Sequence, residues 1–154
     1  MSDEPAAVRL YAESDHEHVI ALAGRLAVGV ASWRSTTAAV HAAHQWTAAS
    51  TSRAPDEGAA FVAERRRSVV GFVSVSTRLH FTGAVDAYIG ELVVADTAAR
   101  TGVGRQLVAA AEAWARDRGL ERIYLQTGAA NVPARRFYTA LGFQEEEVAL
   151  SKQL

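Results

Sequence analysis

Cysteine is absent from the 154 residues, which excludes disulfides, thiolate nucleophiles and zinc–thiolate sites together and fits a reducing compartment. Charge of one sign is absent too: 16 basic and 17 acidic residues leave a formal net charge of -1, so no field draws nucleic acid or an anionic membrane surface. No apolar run approaches the ~18 residues of a membrane-crossing helix. The opening MSDEPAAVRLY is acidic and lacks the apolar core of a signal peptide. The expectation is a cytoplasmic protein with neither nucleic acid nor membrane as partner. With three prolines and no linker, repeat or low-complexity stretch, residues 1–154 read as a single domain, long enough to bury about two-thirds of its unfolded surface. Every basic residue but Lys152 is arginine and alanine is abundant, a composition of GC-rich bacterial genomes that says nothing of chemistry.

What is present is an alternation of strand-like and helix-like segments. Val8–Tyr11 reads as a strand, and ESDHEHVIALAGRL as a helix capped by Ser14 or Asp15, with Val19, Ile20, Leu22, Ala23 and Leu26 on its apolar side. STTAAVHAAHQWTAAS is a second helix, ended before Pro55. AAFVAE and SVVGFVSVSTRLHF are strands on either side of Arg65–Arg67, a solvated hairpin turn. DAYIGELVV is a fourth strand, VGRQLVAAAEAWARDRG a third helix stopped at Gly119, and RIYLQTG a fifth strand. NVPARRFYTALG is a short helix with Asn131 at its cap and Pro133 in its first turn, and FQEEEVALSKQL supplies one or two closing strands. The order is that of an α/β layered fold with an antiparallel meander in its middle.

Gly102 and Gly104 stand where the third helix begins. The first N–H groups of a helix lack intrahelical acceptors and carry the positive end of its dipole. Two missing side chains let an anion reach that backbone, and Arg100 and Arg105 add charge on either side. A diphosphate fits this chemistry, although a plain strand-to-helix connector would use glycines as well. A P-loop needs Gly-Lys-Ser/Thr, which does not occur. A dinucleotide fingerprint needs a tight turn after the strand, whereas ADTAAR is long and Leu107 fills the third small position.

ELVVADTAARTGVGRQLV followed by IYLQTGAANVPARRFYTALGF resembles the GNAT superfamily of N-acetyltransferases across about Tyr88–Phe143. The family's Arg/Gln-x-x-Gly-x-Gly/Ala stretch, which wraps the acetyl-CoA pyrophosphate, is matched from Ala99 to Gly104, with Ala99 departing at the first position. Its later motif is matched at Asn131, Ala134, Phe137, Tyr138, Gly142 and Phe143. The resemblance implies a mixed, mostly antiparallel sheet of six to seven strands with about four helices, its fourth and fifth strands splayed to admit pantetheine. It implies acetyl-CoA as donor and no metal. Cofactor contacts are then expected from Leu92, Val93, Val94, Arg100, Thr101, Gly102, Val103, Gly104, Arg105, Asn131 and Tyr138. A small-molecule or peptide amine is the implied acceptor, and a homodimer is possible in this family.

Acyl transfer to an amine needs a neutral amine, a stabilised oxyanion and a proton for the leaving thiolate. An alkyl amine of pKa ~10.4 is neutral about once in 10³ molecules at pH 7, a cost of roughly 4–5 kcal/mol. Glu91, placed beside the thioester by the resemblance, is the candidate proton acceptor; otherwise it is a surface strand carboxylate or the partner of a neighbouring arginine. Tyr88 lies three residues earlier and faces the other side unless a bulge intervenes. Tyr138 takes the family's general-acid position, or else packs beside Phe137; from an ordinary phenol to a thiolate of pKa ~8.5, proton transfer costs about 2 kcal/mol. A main-chain N–H at Val93 or Val94 meets the oxyanion. Gln126 stands where family members acting on ribosomal-protein alanine termini carry glutamate, which disfavours their substrate.

Other polar residues read more plainly. His41 and His44 share a helix face without a third ligand, and Asp15–His18 reads as a solvated helix start. Trp33 and Trp46 fill core or wall an amine pocket. Glu145–Glu147 is a solvated run able to attract a cationic substrate. Ala99 and Gln126 also leave open an alternative from the binding class, a degenerate domain that senses acyl-CoA without turnover.

Overall fold

In a computed structural model, residues 4–154 are described. One sheet runs in the order β1 (Ala7–Leu10), β2 (Gly58–Arg65), β3 (Ser68–Leu79), β4 (Val85–Val94), β5 (Ile123–Leu125). The first three pairings are antiparallel and the last is parallel. The helices are α1 (His16–Ala23), α2 (Thr36–Thr51), α3 (Val103–Asp117) and α4 (Val132–Ala140). Mixed sheet and four helices agree with the expected class. Among the described residues no helix is long and apolar enough to cross a membrane.

Sequence period assigns the faces. Val73, Val75, Ala87 and Ile89 meet α3, whose buried Val103, Leu107, Ala111 and Trp114 recur at helical spacing. On the opposite face Phe72, Val62 and Val93 pack with Val19 of α1. α2 turns Ala43, Thr47 and Ser50 inward, a face of small and mostly polar residues rather than an oily stripe.

Two irregularities shape the middle of the sheet. Val73 pairs with Leu92 but Val75 with Ile89, so Gly90 and Glu91 together oppose Ser74. This bulge reverses the alternation of β4 and returns Glu91 to the face of Tyr88. β4 and β5 pair only over Ala87–Ile89 and Ile123–Leu125, after which β4 runs on to Val94 without its fifth-strand neighbour. The splay is thus present.

The expected six to seven strands are not: the sheet has five among the described residues, because FQEEEVALSKQL forms no ladder. Its carboxylates are engaged by side chains. Glu145 pairs with Arg135, the Tyr124 hydroxyl donates to Glu147 at 3.3 Å, and Glu146 and Glu147 lie 3.9 and 3.6 Å from His80 Nε2. With only three residues, β5 offers too short an edge to template another strand, and Leu150 stays 92% exposed.

The first helix is also shorter than its pattern. It is a 3₁₀ turn at Glu13–Asp15, then α1, then a second 3₁₀ turn at Gly24–Ala27. Asp15 is not a solvated start: its carboxylate is buried, accepting from Arg9 at 2.7 and 2.9 Å and from the Ala12 amide at 2.9 Å. The Arg9 bonds hold it below the usual carboxylate range despite burial.

Candidate active site

The mouth of α3 is built as an open donor array. Gly102, at φ 87°, occupies the N-cap position in a left-handed conformation and provides no capping side chain. Among the described residues none of the amides from Arg100 to Arg105 makes a well-formed hydrogen bond to a backbone carbonyl, residues 99–102 forming only loose turns; the first to do so is Gln106, to Gly102 at 3.1 Å. Val103 spends its side chain in the core, leaving only its N–H for the mouth. A Cβ on Gly104 would stand 3.1 Å from Phe137 Cζ, so this glycine also lets α4 close against α3.

Arg65 is a correction to the solvated turn. It ends β2, and its Nη2 donates to Thr101 Oγ1 at 2.9 Å, while that hydroxyl donates to Ala98 O at 2.7 Å. The hairpin therefore braces the cradle, and only Arg66 and Arg67 form the turn. Nothing in the run of three arginines marks one of them for this contact; the end of the preceding alternation was the available signal.

Beyond the cradle, the unpaired edge of β4 faces the wedge. The Ala95 amide donates to Val70 O at 2.8 Å, so by alternation Val93 directs its N–H and C=O at β3, while Leu92 and Val94 direct theirs at the wedge. That leaves Val94 as the better of the two oxyanion donors expected from sequence. Val94 O accepts from Arg25 Nε at 2.9 Å, and Arg25 also pairs with Asp96. On the other side, Asn131 caps α4 by accepting from the Ala134 amide at 3.3 Å and donates from Nδ2 to Val28 O at 3.3 Å. The α1–α2 connection thus straps the wedge at both rims. Glycine is required here: Gly29 sits at φ 85°, and a Cβ on it would overlap Asn131, as one on Gly128 would overlap Gly29.

Glu91 is 5% exposed within a nest of hydroxyls. The Ser74 hydroxyl bonds its carboxylate, the Glu91 amide donates to Ser74 Oγ at 3.1 Å, and Ser50 of α2 bonds the carboxylate as well. Burial pushes its carboxyl up, against the opposing pull of the two serines and Arg53. Ser74 and Ser50 were missed from the sequence. The signal was VSVS within an otherwise apolar strand, two hydroxyls on one face. Tyr138 packs its ring at 5.2 Å from Phe137 and 5.5 Å from Phe143. Its hydroxyl has no hydrogen-bond partner among the described residues, and burial raises it to about 12.

Trp33 and Trp46 are 70% and 62% exposed, which removes them from the core. His44 lies beside Gly24, and no group of three possible metal ligands occurs among the described residues.

The sequence profile of the acetyltransferase (GNAT) family matches residues 25–143. Over 91 residues the chain is 41% identical to a mycothiol acetyltransferase of Thermobispora bispora, covering 57% of this chain and 30% of that protein. Over 96 residues it is 27% identical to an aminoglycoside N(6')-acetyltransferase type 1 of Salmonella typhimurium, covering 60% of this chain and 66% of that one. The chain therefore spans less than a third of the first relative and just under two thirds of the second. A solved structure of an acetyl transferase of Pyrococcus furiosus, named as putative, superposes with a TM-score of 0.77 at 23% identity over 97% of this chain and 99% of that one. An aminoglycoside N-acetyltransferase in complex with CoA superposes at 0.73 with 20% identity over 98% and 95%. At such identities the likeness is one of fold.

Proposed function

Because the chain belongs to the acetyltransferase (GNAT) family, we propose that it transfers the acetyl group of acetyl-CoA to a primary amine of a small molecule or peptide, in the cytoplasm. The observation that carries this is the run of amides from Arg100 to Arg105 without well-formed bonds to backbone acceptors, at the head of a wedge between two strands. The run fits a diphosphate, which supplies the acceptor oxygens these donors lack. Bound there, acetyl-CoA offers a thioester carbonyl to the incoming nitrogen.

The remaining roles fall to side chains and backbone of this chain. Thr101, Gly102, Val103 and Gly104 present N–H groups, and Arg100 and Arg105 add charge. Leu92 and Val94 turn their backbone to the pantetheine, Asn131 holds the opposite rim, and the Val94 N–H faces the developing oxyanion. Glu91 takes the proton from the ammonium, directly or through a water; its raised carboxyl brings the acceptor closer to the amine in basicity. The Tyr138 hydroxyl returns a proton to sulfur. With the phenol near 12, that transfer to a thiolate of pKa ~8.5 costs about 5 kcal/mol rather than 2. This remains below the roughly 13–17 kcal/mol barriers of ordinary enzyme turnover.

The test is calorimetry with acetyl-CoA followed by thiol release over polyamines, aminoglycosides, amino acids and peptide N-termini; aminoglycosides belong in the panel because the Salmonella relative is named for them. Micromolar binding and amine-dependent release are expected. Binding without release from any amine would make the chain an acyl-CoA sensor, and absence of binding would remove the reading altogether.

A further inference from the structure

The hairpin end of β3 and β4 borders an open cavity of about 510 Å³, lined by Arg78, His80, Phe81, Asp86, Tyr124 and Glu147 among others. Asp86 is 7% exposed, and among the described residues its side chain makes no hydrogen bond or ion pair. Its oxygens are not sealed from solvent, so this recessed, unpaired carboxylate faces the cavity and is open to a cation. Arg78 stands opposite Asp86 in the β3–β4 register, but its guanidinium lies 5.1 Å from the Tyr88 ring centre and 4.8 Å from that of Tyr124. The two rings stack at 5.9 Å, so the arginine of the cavity is drawn onto aromatic faces. Glu147 closes the opposite wall, fixed by the Tyr124 hydroxyl and 3.6 Å from His80 Nε2.

The cavity and Glu91 lie on the same face of the sheet. Asp86, Tyr88 and, because of the bulge, Glu91 all project from one side of β4. From Asp86 to Glu91 is roughly 15 Å along the strand at about 3.3 Å per residue.

We propose that this cavity is a distal cation subsite of the acceptor: Asp86, with Glu147 across from it, holds a second ammonium of a di- or polyamine whose first amine lies at Glu91. The inference rests on the acetyl-transfer reading for the position of the first amine. The subsite itself is read independently by binding.

Octane-1,8-diamine and octylamine have the same chain length and differ in the second ammonium. KM for the diamine is expected to be lower by tenfold or more, as charged hydrogen bonds of this kind deliver, and Asp86→Asn brings the ratio of the two KM values to within about twofold. Glu147→Gln, in a segment outside the sheet, moves the ratio in the same direction by less and serves where Asp86→Asn melts early. Calorimetry with octane-1,8-diamine on the CoA-saturated protein is expected to show binding that Asp86→Asn removes, whether or not turnover occurs. Diamine binding lost in Asp86→Asn without any acetyl transfer would sustain the subsite and sink the transfer reading. Equal KM for diamine and monoamine, unchanged in both variants, would overturn the subsite and leave the transfer reading standing.

Discussion

The two ends of β4 carry candidate sites of different construction. At its C-terminal end the chemistry belongs to the backbone: wedge-facing groups at Leu92 and Val94, then six amides beyond, with glycines whose contribution is the side chain they omit. At its N-terminal end everything depends on side chains delivered from three strands and from the segment after α4, Arg78, Asp86, Tyr124 and Glu147. A backbone site is specified by left-handed positions and missing Cβ atoms at fixed spacing, whereas a side-chain site is specified by register. Substitutions should therefore act at the first end mainly through added bulk or charge, and at the second through removed groups.

The largest effect expected is at the cradle. Gly104→Asp puts a carboxylate among donors meant for an anion and should weaken acetyl-CoA on the order of 10³-fold, since like charges placed together cost several kcal/mol. Gly104→Ala provides the comparison, because its Cβ meets Phe137 in the same way without the charge. Calorimetric affinities that fall equally in both variants would mean that packing, rather than anion binding, is what Gly104 serves.

Glu91 lies between the two ends and joins them. Glu91→Gln should lower kcat/KM by roughly 10²–10³-fold, the range of a positioned base, and abolish the acid limb of the pH profile. In the native protein that limb should lie above the ordinary glutamate range, because burial raises the carboxyl. The sign for stability follows: a carboxyl raised on folding favours the folded state at low pH and loses that contribution as pH rises through its folded pKa. Thermal melts should thus show the variant gaining on the native protein toward neutral pH. A pH-independent difference would make Glu91 a structural partner of Ser74 and Ser50.

Tyr138→Phe should lower turnover by about 10²-fold with acetyl-CoA affinity little changed. Since the phenol keeps its proton to about 12, no alkaline limb from this group is expected between pH 7 and 10. Turnover unaffected by the change would leave Tyr138 as packing between Phe137 and Phe143.

The same distinction explains what was legible in the sequence. Gly102 and Asn131 announce themselves because few residue types take a left-handed N-cap or accept a helix amide, Gly104 through the motif it completes, and the splay follows from the family resemblance they carry. Glu91 was visible as a residue, but its orientation was not: a two-for-one bulge at Gly90 and Glu91 changes which face the carboxylate joins, and no local propensity encodes it. The hydroxyl nest is a long-range product of β3 meeting α2. The closing strands failed because alternation in EEEVALSKQL is necessary for a strand but does not provide an edge to pair with. Trp33 and Trp46 failed because size alone does not bring a residue to the core.

The smallest effect sharpens the comparison most. Arg66 and Arg67 occupy both central positions of a two-residue hairpin at φ 49° and 63°, a turn that favours Asn-Gly. Left-handed backbone costs about 1–2 kcal/mol per residue that carries an ordinary side chain, part of which returns as the greater entropy of an unfolded glycine. Arg66→Asn combined with Arg67→Gly should therefore stabilise the fold by about 1 kcal/mol, a rise of about 2–4 °C in Tm. Among the described residues neither side chain makes a hydrogen bond or ion pair, whereas Arg65 reaches the cradle through Thr101. Acetyl-CoA affinity should consequently remain as in the native protein while Tm rises. A marked loss of affinity would show that the cradle draws on the charge of the whole arginine run, and the contrast between a backbone end and a side-chain end of β4 would no longer hold.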